Sequence, residues 1–343
     1  VMTLVMVPIV IGAVFYGNYS PWVQQTFVLS PSAWRWILIL YIFLASVLPV
    51  WLLLQPRDYL ASYLLYFSVF IGAVGMLFGG SKFQVSLPAF TGFTGPKGEP
   101  LWPLLFVVVA CGAISGFHAL VGSGTTAKQL RRESDAIGVG YGAMLIEGLV
   151  AVIAIGTIMI AGTMLKGGPT ATYGAGLGKF AALIGIPEKV GVSLGLLALN
   201  SFILTSLDTA TRLARYQLQE FTDMKLDRYT STAIGVAVAG ALVFMKTGGK
   251  PAWQLIWPVF GAANQLVAAL CLLAVGVWVI KGLKKSANFV MIPMAFMLVT
   301  TIAALFLLIK GNISNLILSG IAAVLLVLAL MLVKESWDAV KKA

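Results

Sequence analysis

The sequence predicts an all-α fold, a polytopic transmembrane helical bundle. Three observations carry that expectation. Mean hydropathy is +0.96. Only 10% of residues are charged, where a soluble domain carries about a quarter. Apolar runs repeatedly reach the ~20 residues that a helix needs to cross a bilayer. A water-soluble globule with one core is excluded, and the short alternating segments of a β-barrel are absent.

Taken in order, the apolar runs predict ten spans. The first runs to about Val14. It is followed by Trp34–Leu54, Ser62–Phe78, Leu101–Val121, Val139–Met164, Val190–Leu207, Tyr229–Met245, Trp253–Ile280, Phe289–Ile309 and Leu316–Val333. Between Gly167 and Lys189 the segment GLGKFAALIGIP is too short to span and is read as a re-entrant or surface helix. The chain, 1–343, is read as a single transmembrane domain. It opens inside an apolar run with neither a basic leader nor an initiator Met, so it is expected to lack the N-terminal membrane section of a longer protein.

A net charge of +11 raises the question of nucleic acid. Alternating loops answer it differently. One side gathers Arg57, Lys128, Arg131, Arg132, Arg212, Arg215, Lys225, Arg228, Lys281, Lys284, Lys285, Lys334, Lys341 and Lys342, fourteen of the 23 basic residues; nine lie opposite, Lys97 among them. By the positive-inside rule the first side is cytoplasmic, with the C-terminus inside. The basic loops are therefore read as topology signals, with no nucleic-acid partner. Trp22, Trp34, Trp36, Trp51, Trp102 and Trp337 lie near span ends, where indole rings suit the interface. Cys111 and Cys271 sit inside apolar spans and are read as small buried hydrophobes. They form neither a disulfide framework nor a metal-ligand spacing, and no cofactor motif is present.

Ionisable and amide groups within spans are expensive, so they mark candidate sites. The uncharged run Pro100–Ala127 has 28 residues, about 42 Å as one helix, against a hydrocarbon core of about 30 Å. VGSGTT, Val121–Thr126, is the expected break: Gly122 and Gly124 weaken the helix, and Ser123, Thr125 and Thr126 can satisfy freed backbone groups. His118, the only histidine, precedes it, with Ser115 on the same helical face. The ring is either a proton-coupling or substrate-facing group or a structural hydrogen-bond partner. GSGTTAK lacks the spacing of a phosphate loop, and no strand precedes it.

Glu147, in YGAMLIEGLVAVIAI, is the second candidate, as a proton-carrying carboxyl or as a structural group at the interface. Gly138 and Gly142, four residues apart, are expected to admit a neighbouring helix. The third candidate is LNSFILTSLDTATRLARYQLQE. Asn200, Ser201, Thr205, Asp208 and Thr209 gather on neighbouring turns as a polar, water- or substrate-lined stripe, and Asp208 and Arg212 are spaced to pair. The fourth is WPVFGAANQLVAAL, where Pro258 and Gly261 weaken the helix ahead of Asn264 and Gln265. Inward amides on a discontinuous helix are a common way to build a transporter site, and interhelical hydrogen bonding is the structural alternative.

SGFHALVGSGTTAKQL, YGAMLIEGLVAVIAI, LDTATRLARYQLQE, WPVFGAANQL and PVWLLLQPRDYL (Pro49–Leu60) together resemble the carbon starvation protein A family. The matches are long, ordered and spread over most of the chain. The resemblance implies a prokaryotic inner-membrane transporter that takes up peptide or pyruvate, coupled to protons or another cation, with a LeuT-like core of discontinuous helices. It also implies that part of the site lies in an N-terminal section outside this chain, and that the Lys166–Lys189 connection is short for the family.

The expected function is secondary active import of a small organic nutrient across the plasma membrane. Its partners are substrate, coupling cation and lipid bilayer; the sequence is silent on oligomeric state. The rival class is a non-transporting membrane receptor or sensor. An intramembrane enzyme lacks a nucleophile–base or metal-ligand set.

Overall fold

A computed structural model describes residues 2–95, 98–109, 114–247, 249–313 and 315–341. Lys97, Cys111 and Lys342 lie outside the described residues, as does the side chain of Trp337. The protein is a multi-pass helical membrane protein. Six described helices are long and apolar enough to cross a bilayer: Val50–Phe78, Ile137–Ala161, Glu188–Phe221, Val259–Lys281, Asn288–Gly311 and Leu316–Glu335. Three shorter apolar helices accompany them: Thr3–Tyr19, Pro31–Val47 and Arg228–Phe244. The one described ladder is a small hairpin pairing Lys246–Thr247 with Lys250–Pro251. The chain divides into two compact units.

The first unit comprises Val1–Ala89 and Leu145–Gly240. It holds α1 (Met2–Tyr19), α2 (Pro21–Thr26), α3 (Pro31–Val47), α4 (Val50–Phe78), α8 (Gly168–Ala182), α9 (Glu188–Phe221) and most of α7 (Ala143–Ala161) and α10 (Arg228–Phe244). Ser20 and Ser30 cap α2 and α3 by accepting from the backbone N–H three residues on, with Pro21 and Pro31 at the first helical position. Its core is Ile71, Ile153, Tyr173, Leu177, Phe180 and Ala181.

Two sequence expectations change here. The second span does not run to Leu54. Pro49 pushes Leu48 into an extended conformation (φ −68°, ψ 151°), so α3 ends at Val47. A new helix of 29 residues, α4, then starts at Val50 and carries Arg57 and Asp58 on helix rather than loop. Of the two readings of Gly176–Pro187, re-entrant or surface helix, the surface one fails. The helix there begins earlier, at Gly168, and Thr172, Tyr173, Gly176, Leu177 and Phe180 are all buried. It packs on α9 through two stripes of small residues, Gly174 and Gly178 against Gly191 and Gly195. A Cβ at Gly178 would lie 2.9 Å from the Glu188 carbonyl. Gly138 and Gly142, which were expected to play this part, lie in a π-helical turn and meet no neighbouring helix.

The second unit comprises Phe90–Met144 and Ala241–Ala343. It holds α5 (Leu101–Val109), α6 (Gly116–Val121), α11 (Ala252–Lys281), α12 (Asn288–Gly311) and α13 (Leu316–Lys341). Leu266, Ala269, Leu273, Met294, Met297 and Leu298 lead one core cluster, and Val107, Ala262, Ala304, Leu305 and Ala322 form another. Cys271 is a half-buried free thiol on α11.

Candidate functional site

Two polar loci stand out, one in each unit. The first begins where Pro49 ends α3. The last carbonyls of a helix have no partner in their own helix, and inside a bilayer no water replaces one. Arg212 and Arg215 of α9 supply the donors. Arg212 Nη2 donates to the carbonyls of Ala45 (2.5 Å) and Leu48 (2.7 Å), and Arg215 Nη1 donates to that of Ser46 (2.7 Å). Both guanidiniums are buried. They also place positive charge at the negative end of the α3 dipole. Arg212 therefore does not pair with Asp208, its neighbour four residues back.

Asp208 is fully buried and pairs across helices instead. Its Oδ2 accepts from Tyr41 Oη of α3 (2.8 Å) and from Arg57 Nη1 of α4. The Arg57 fork also reaches Asp58: Nε (3.2 Å) and Nη2 (2.6 Å) both donate to Oδ1. Nη1 further donates to Tyr41 Oη, and Nη2 to Thr205 Oγ1 (3.2 Å). The Thr205 hydroxyl has acceptors in Asp58 Oδ1 and the Ser201 carbonyl, each at 2.9 Å. Asp208 Oδ1 is buried and has no partner among the described residues.

Of the predicted stripe on α9, Thr205 and Asp208 thus meet in one cluster. Ser201 turns its hydroxyl back to the Leu197 carbonyl, the usual habit of a serine in a membrane helix. Asn200 is exposed and Thr209 half-buried, and neither joins the cluster. Sequence reasoning missed Arg57, Asp58 and Tyr41. Arg57, Arg212 and Arg215 were read as topology signals in loops; all three lie within helices and are bonded there. Removing them from the charge balance leaves eleven basic residues against nine. The available signal was Pro49, which moves the boundary and puts the PRDYL charges on a helix.

The second locus lies in the second unit. Ser115 is extended (φ −119°, ψ 127°), so α5 and α6 are separate helices. The interruption therefore precedes His118 instead of following it. The expected break at Gly122–Thr126 is a π-helical stretch, in which Ala127 N–H reaches back to the Gly122 carbonyl. Its hydroxyls are spent on backbone: Ser123 donates to Leu120, and Thr125 to Val121. Gly122 and Gly124 thus widen the helix and do not break it.

Asn264 of α11 seals the interruption. Its Oδ1 accepts from Phe117 N–H (2.8 Å) and Ser115 Oγ (3.2 Å), while Ser115 Oγ in turn accepts from His118 N–H (3.3 Å). Gly116 permits this approach: a Cβ there would lie 2.3 Å from the Asn264 carbonyl and 2.8 Å from Ala268 N. Asn264 is 6% exposed and Gln265 fully buried. Among the described residues Asn264 Nδ2 and both amide atoms of Gln265 have no partner. The expected weakness at Pro258 and Gly261 leaves α11 unbroken, since the helix runs from Ala252 to Lys281. Gly261 instead receives Val107 of α5. Ser115 and Asn264, separate candidates in the sequence, thus meet, with Gln265 next to Asn264 on α11. The His118 side chain is exposed, and so is that of Glu147, which belongs to the other unit. Among the described residues no group of three or more His, Cys, Asp or Glu is placed to hold a metal ion.

The family model for carbon starvation protein CstA matches residues 1–165 and 156–304. The peptide transporter CstA of Helicobacter pylori (strain ATCC 700392 / 26695) is 30% identical over 389 residues, covering 92% of this chain and 56% of the relative. The peptide transporter CstA of Bacillus subtilis (strain 168) is 32% identical, covering 84% of this chain and 56% of the relative. The pyruvate/proton symporter BtsT of Escherichia coli (strain K12) is 29% identical, covering 89% and 55%. The chain spans about half the length of the curated relatives it matches. No solved structure matches. On this agreement over most of its length, the chain belongs to the carbon starvation protein CstA family.

Proposed function

We propose that the chain forms part of a secondary active transporter that imports a peptide or pyruvate across a prokaryotic plasma membrane, driven by a coupled cation. The observation that carries this reading is the interruption at Ser115 beside Asn264 and Gln265. A membrane helix bundle built only for stability has no use for three buried amide atoms without partners among the described residues, because each raises the free energy of the folded state. Such atoms fit a polar solute that enters and leaves. The names of the relatives support peptide or pyruvate as that solute. A LeuT-like arrangement agrees with a discontinuous helix facing an amide-bearing neighbour.

In this reading Ser115, Asn264 and Gln265 contact the solute. Thr205 and Asp208 belong to the cation-coupling side. His118 and Glu147 are further coupling candidates, supported by sequence alone. The chain is oriented with its C-terminus in the cytoplasm, on the strength of the Lys128–Arg132 and Lys281–Lys285 loops.

The test is counterflow of labelled pyruvate and of labelled dialanine in proteoliposomes containing the full chain. Exchange of either supports transport. Absence of exchange with both, while either is bound, favours a receptor or sensor. His118→Ala is expected to reduce substrate-driven proton uptake if the ring takes part. Unchanged coupling in that variant removes His118 from the mechanism.

A further inference from the structure

We infer that Asp58, Arg57 and Asp208 form a proton-uptake site, in which one proton is taken up by two carboxylates bridged by a permanently charged guanidinium. This rests on the transport reading above and names the group that couples it.

A charge count comes first. Two carboxylates face one guanidinium, so the cluster carries a surplus of one negative charge. Every other charged group nearby is committed elsewhere. From α3 the facing group is the neutral Tyr41, and from α4 only Arg57 and Asp58 reach the site. On α9 itself Arg212 and Arg215 are turned to the end of α3. From α10, Thr232 reaches Ser46, and Arg228 lies beside Tyr229 on the Arg215 side. α1 and α8 meet α9 near Lys189–Leu196, more than ten residues from Asp208. An uncompensated charge on membrane-spanning helices is expensive, and the cluster becomes neutral by gaining one positive charge.

Hydrogen-bond supply says which kind of ligand can enter. Arg57 has five N–H donors, and five donations leave it: one from Nε, two from Nη1 and two from Nη2. It has no free fork for a substrate carboxylate. The vacancy is on the acid side, at Asp208 Oδ1, which is sealed and without a donor. A hard metal cation gathers a shell of several oxygens, whereas a proton needs the single lone pair that Oδ1 offers. Asp58, with its side chain 36% exposed, is the accessible member of the pair. A proton from water arrives at Asp58 and the pair holds it, so the cluster passes from a net charge of −1 to neutral while Arg57 keeps its charge. Which oxygen bears the proton is a property of the coupled pair. Tyr41 and Thr205 hold the geometry in both states.

The direct test is infrared difference spectroscopy of the purified chain in detergent as pH is lowered through the neutral range. A protonated-carboxyl band is expected to appear, and to be lost in Asp208→Asn. It is also expected to be lost in Asp58→Asn, which removes the surplus charge at a part-exposed position and leaves the buried pair intact. A band that persists in both variants, or no carboxyl titrating above the acid range of exposed carboxylates, overturns the site. In proteoliposomes, Asp208→Asn is expected to lose accumulation of labelled pyruvate or dialanine driven by a pH gradient. Accumulation driven by a sodium gradient and untouched by Asp208→Asn would also overturn it. If the unmodified chain exchanges neither probe, the transport reading fails, and the infrared arm still decides the proton site.

Discussion

Around Asp208 three helices meet over charge, with Arg57 from α4 and Tyr41 from α3 converging on one carboxylate of α9. Around Asn264, a helix interruption meets a neighbouring helix over neutral amides. In both places the chain leaves polar atoms unpaired: Asp208 Oδ1 in the first, Asn264 Nδ2 and the whole Gln265 amide in the second. The difference lies in what each can gain. The charged locus lacks a positive charge, and its donors are used up. The neutral locus has both amide donors and an acceptor unspent. A coupling ion suits the first, and a polar solute with both kinds of group suits the second.

The largest effect is expected where charge is uncovered. Arg57→Ala leaves Asp208 buried and unpaired, which costs about 3–5 kcal/mol. Thermal unfolding in detergent would read it as a large drop in midpoint, with Asp208→Asn much milder. A drop no larger than that of Asp208→Asn would mean that Arg57 contributes packing, and the charge contrast between the loci would fall.

Next is the close approach at Ser115. Gly116→Val drives a side chain into the Asn264 carbonyl and the Ala268 backbone, atoms that cannot swing aside. A loss of about 1–3 kcal/mol is expected, with substrate exchange lost as the interruption is pushed off α11. Exchange at the normal rate would show that the solute does not use this locus.

Gln265→Met separates stability from function. It swaps a buried, unpartnered amide for an apolar side chain of similar size, a change that is near neutral or stabilising. The expected result is an unchanged or raised unfolding midpoint together with weaker exchange of labelled substrate. Weaker exchange accompanied by a lower midpoint would make Gln265 a structural residue.

The smallest effect provides a reference outside both loci. Asp227 caps α10: its carboxylate accepts from Tyr229 N–H (3.0 Å) and Thr230 N–H (3.3 Å). The Thr230 hydroxyl, first, and these N–H groups hold its carboxyl below the ordinary aspartate value. A depressed carboxyl stabilises the fold above its unfolded value, and that contribution is lost as pH falls through the folded one. Loss of protection from hydrogen exchange at Tyr229 and Thr230 in acid, relative to the intrinsic rate at each pH and absent in Asp227→Asn, is the expected signature.

Much of the second locus was legible because its signals are local. A polar residue on an apolar run stands out wherever it lies, and Ser115, Asn264 and Gln265 were all singled out that way. Their union was not legible, since α6 and α11 are joined by 149 residues of chain between Ser115 and Asn264. The position of the break was misread for a local reason. Ser123 and Thr125 satisfy the carbonyls of Leu120 and Val121 in the preceding turn and let the helix widen, whereas the interruption needed an outside acceptor, which Asn264 supplies. The first locus was half legible. Asp208 and Thr205 stood out on α9, and Arg212 looked like the partner because helical spacing allows it. The released carbonyls of α3 claimed Arg212, and Arg57 took the carboxylate.

The sequence by itself determined the class and the family, because membrane crossing is a matter of length and hydropathy, both additive along the chain; of the ten spans it predicted, six are long apolar helices among the described residues. The end of α3 at Val47 was present in the sequence as the steric demand of Pro49 on Leu48, but the hydropathy run Trp34–Leu54 masked it. Only the tertiary structure decided which arginine faces which carboxylate and which glycines carry helix contacts. Those choices depend on competition among groups distant in sequence for a few buried donors and acceptors. The winner is set by which pairing leaves the least uncompensated charge and the fewest unbonded backbone atoms in a medium without water.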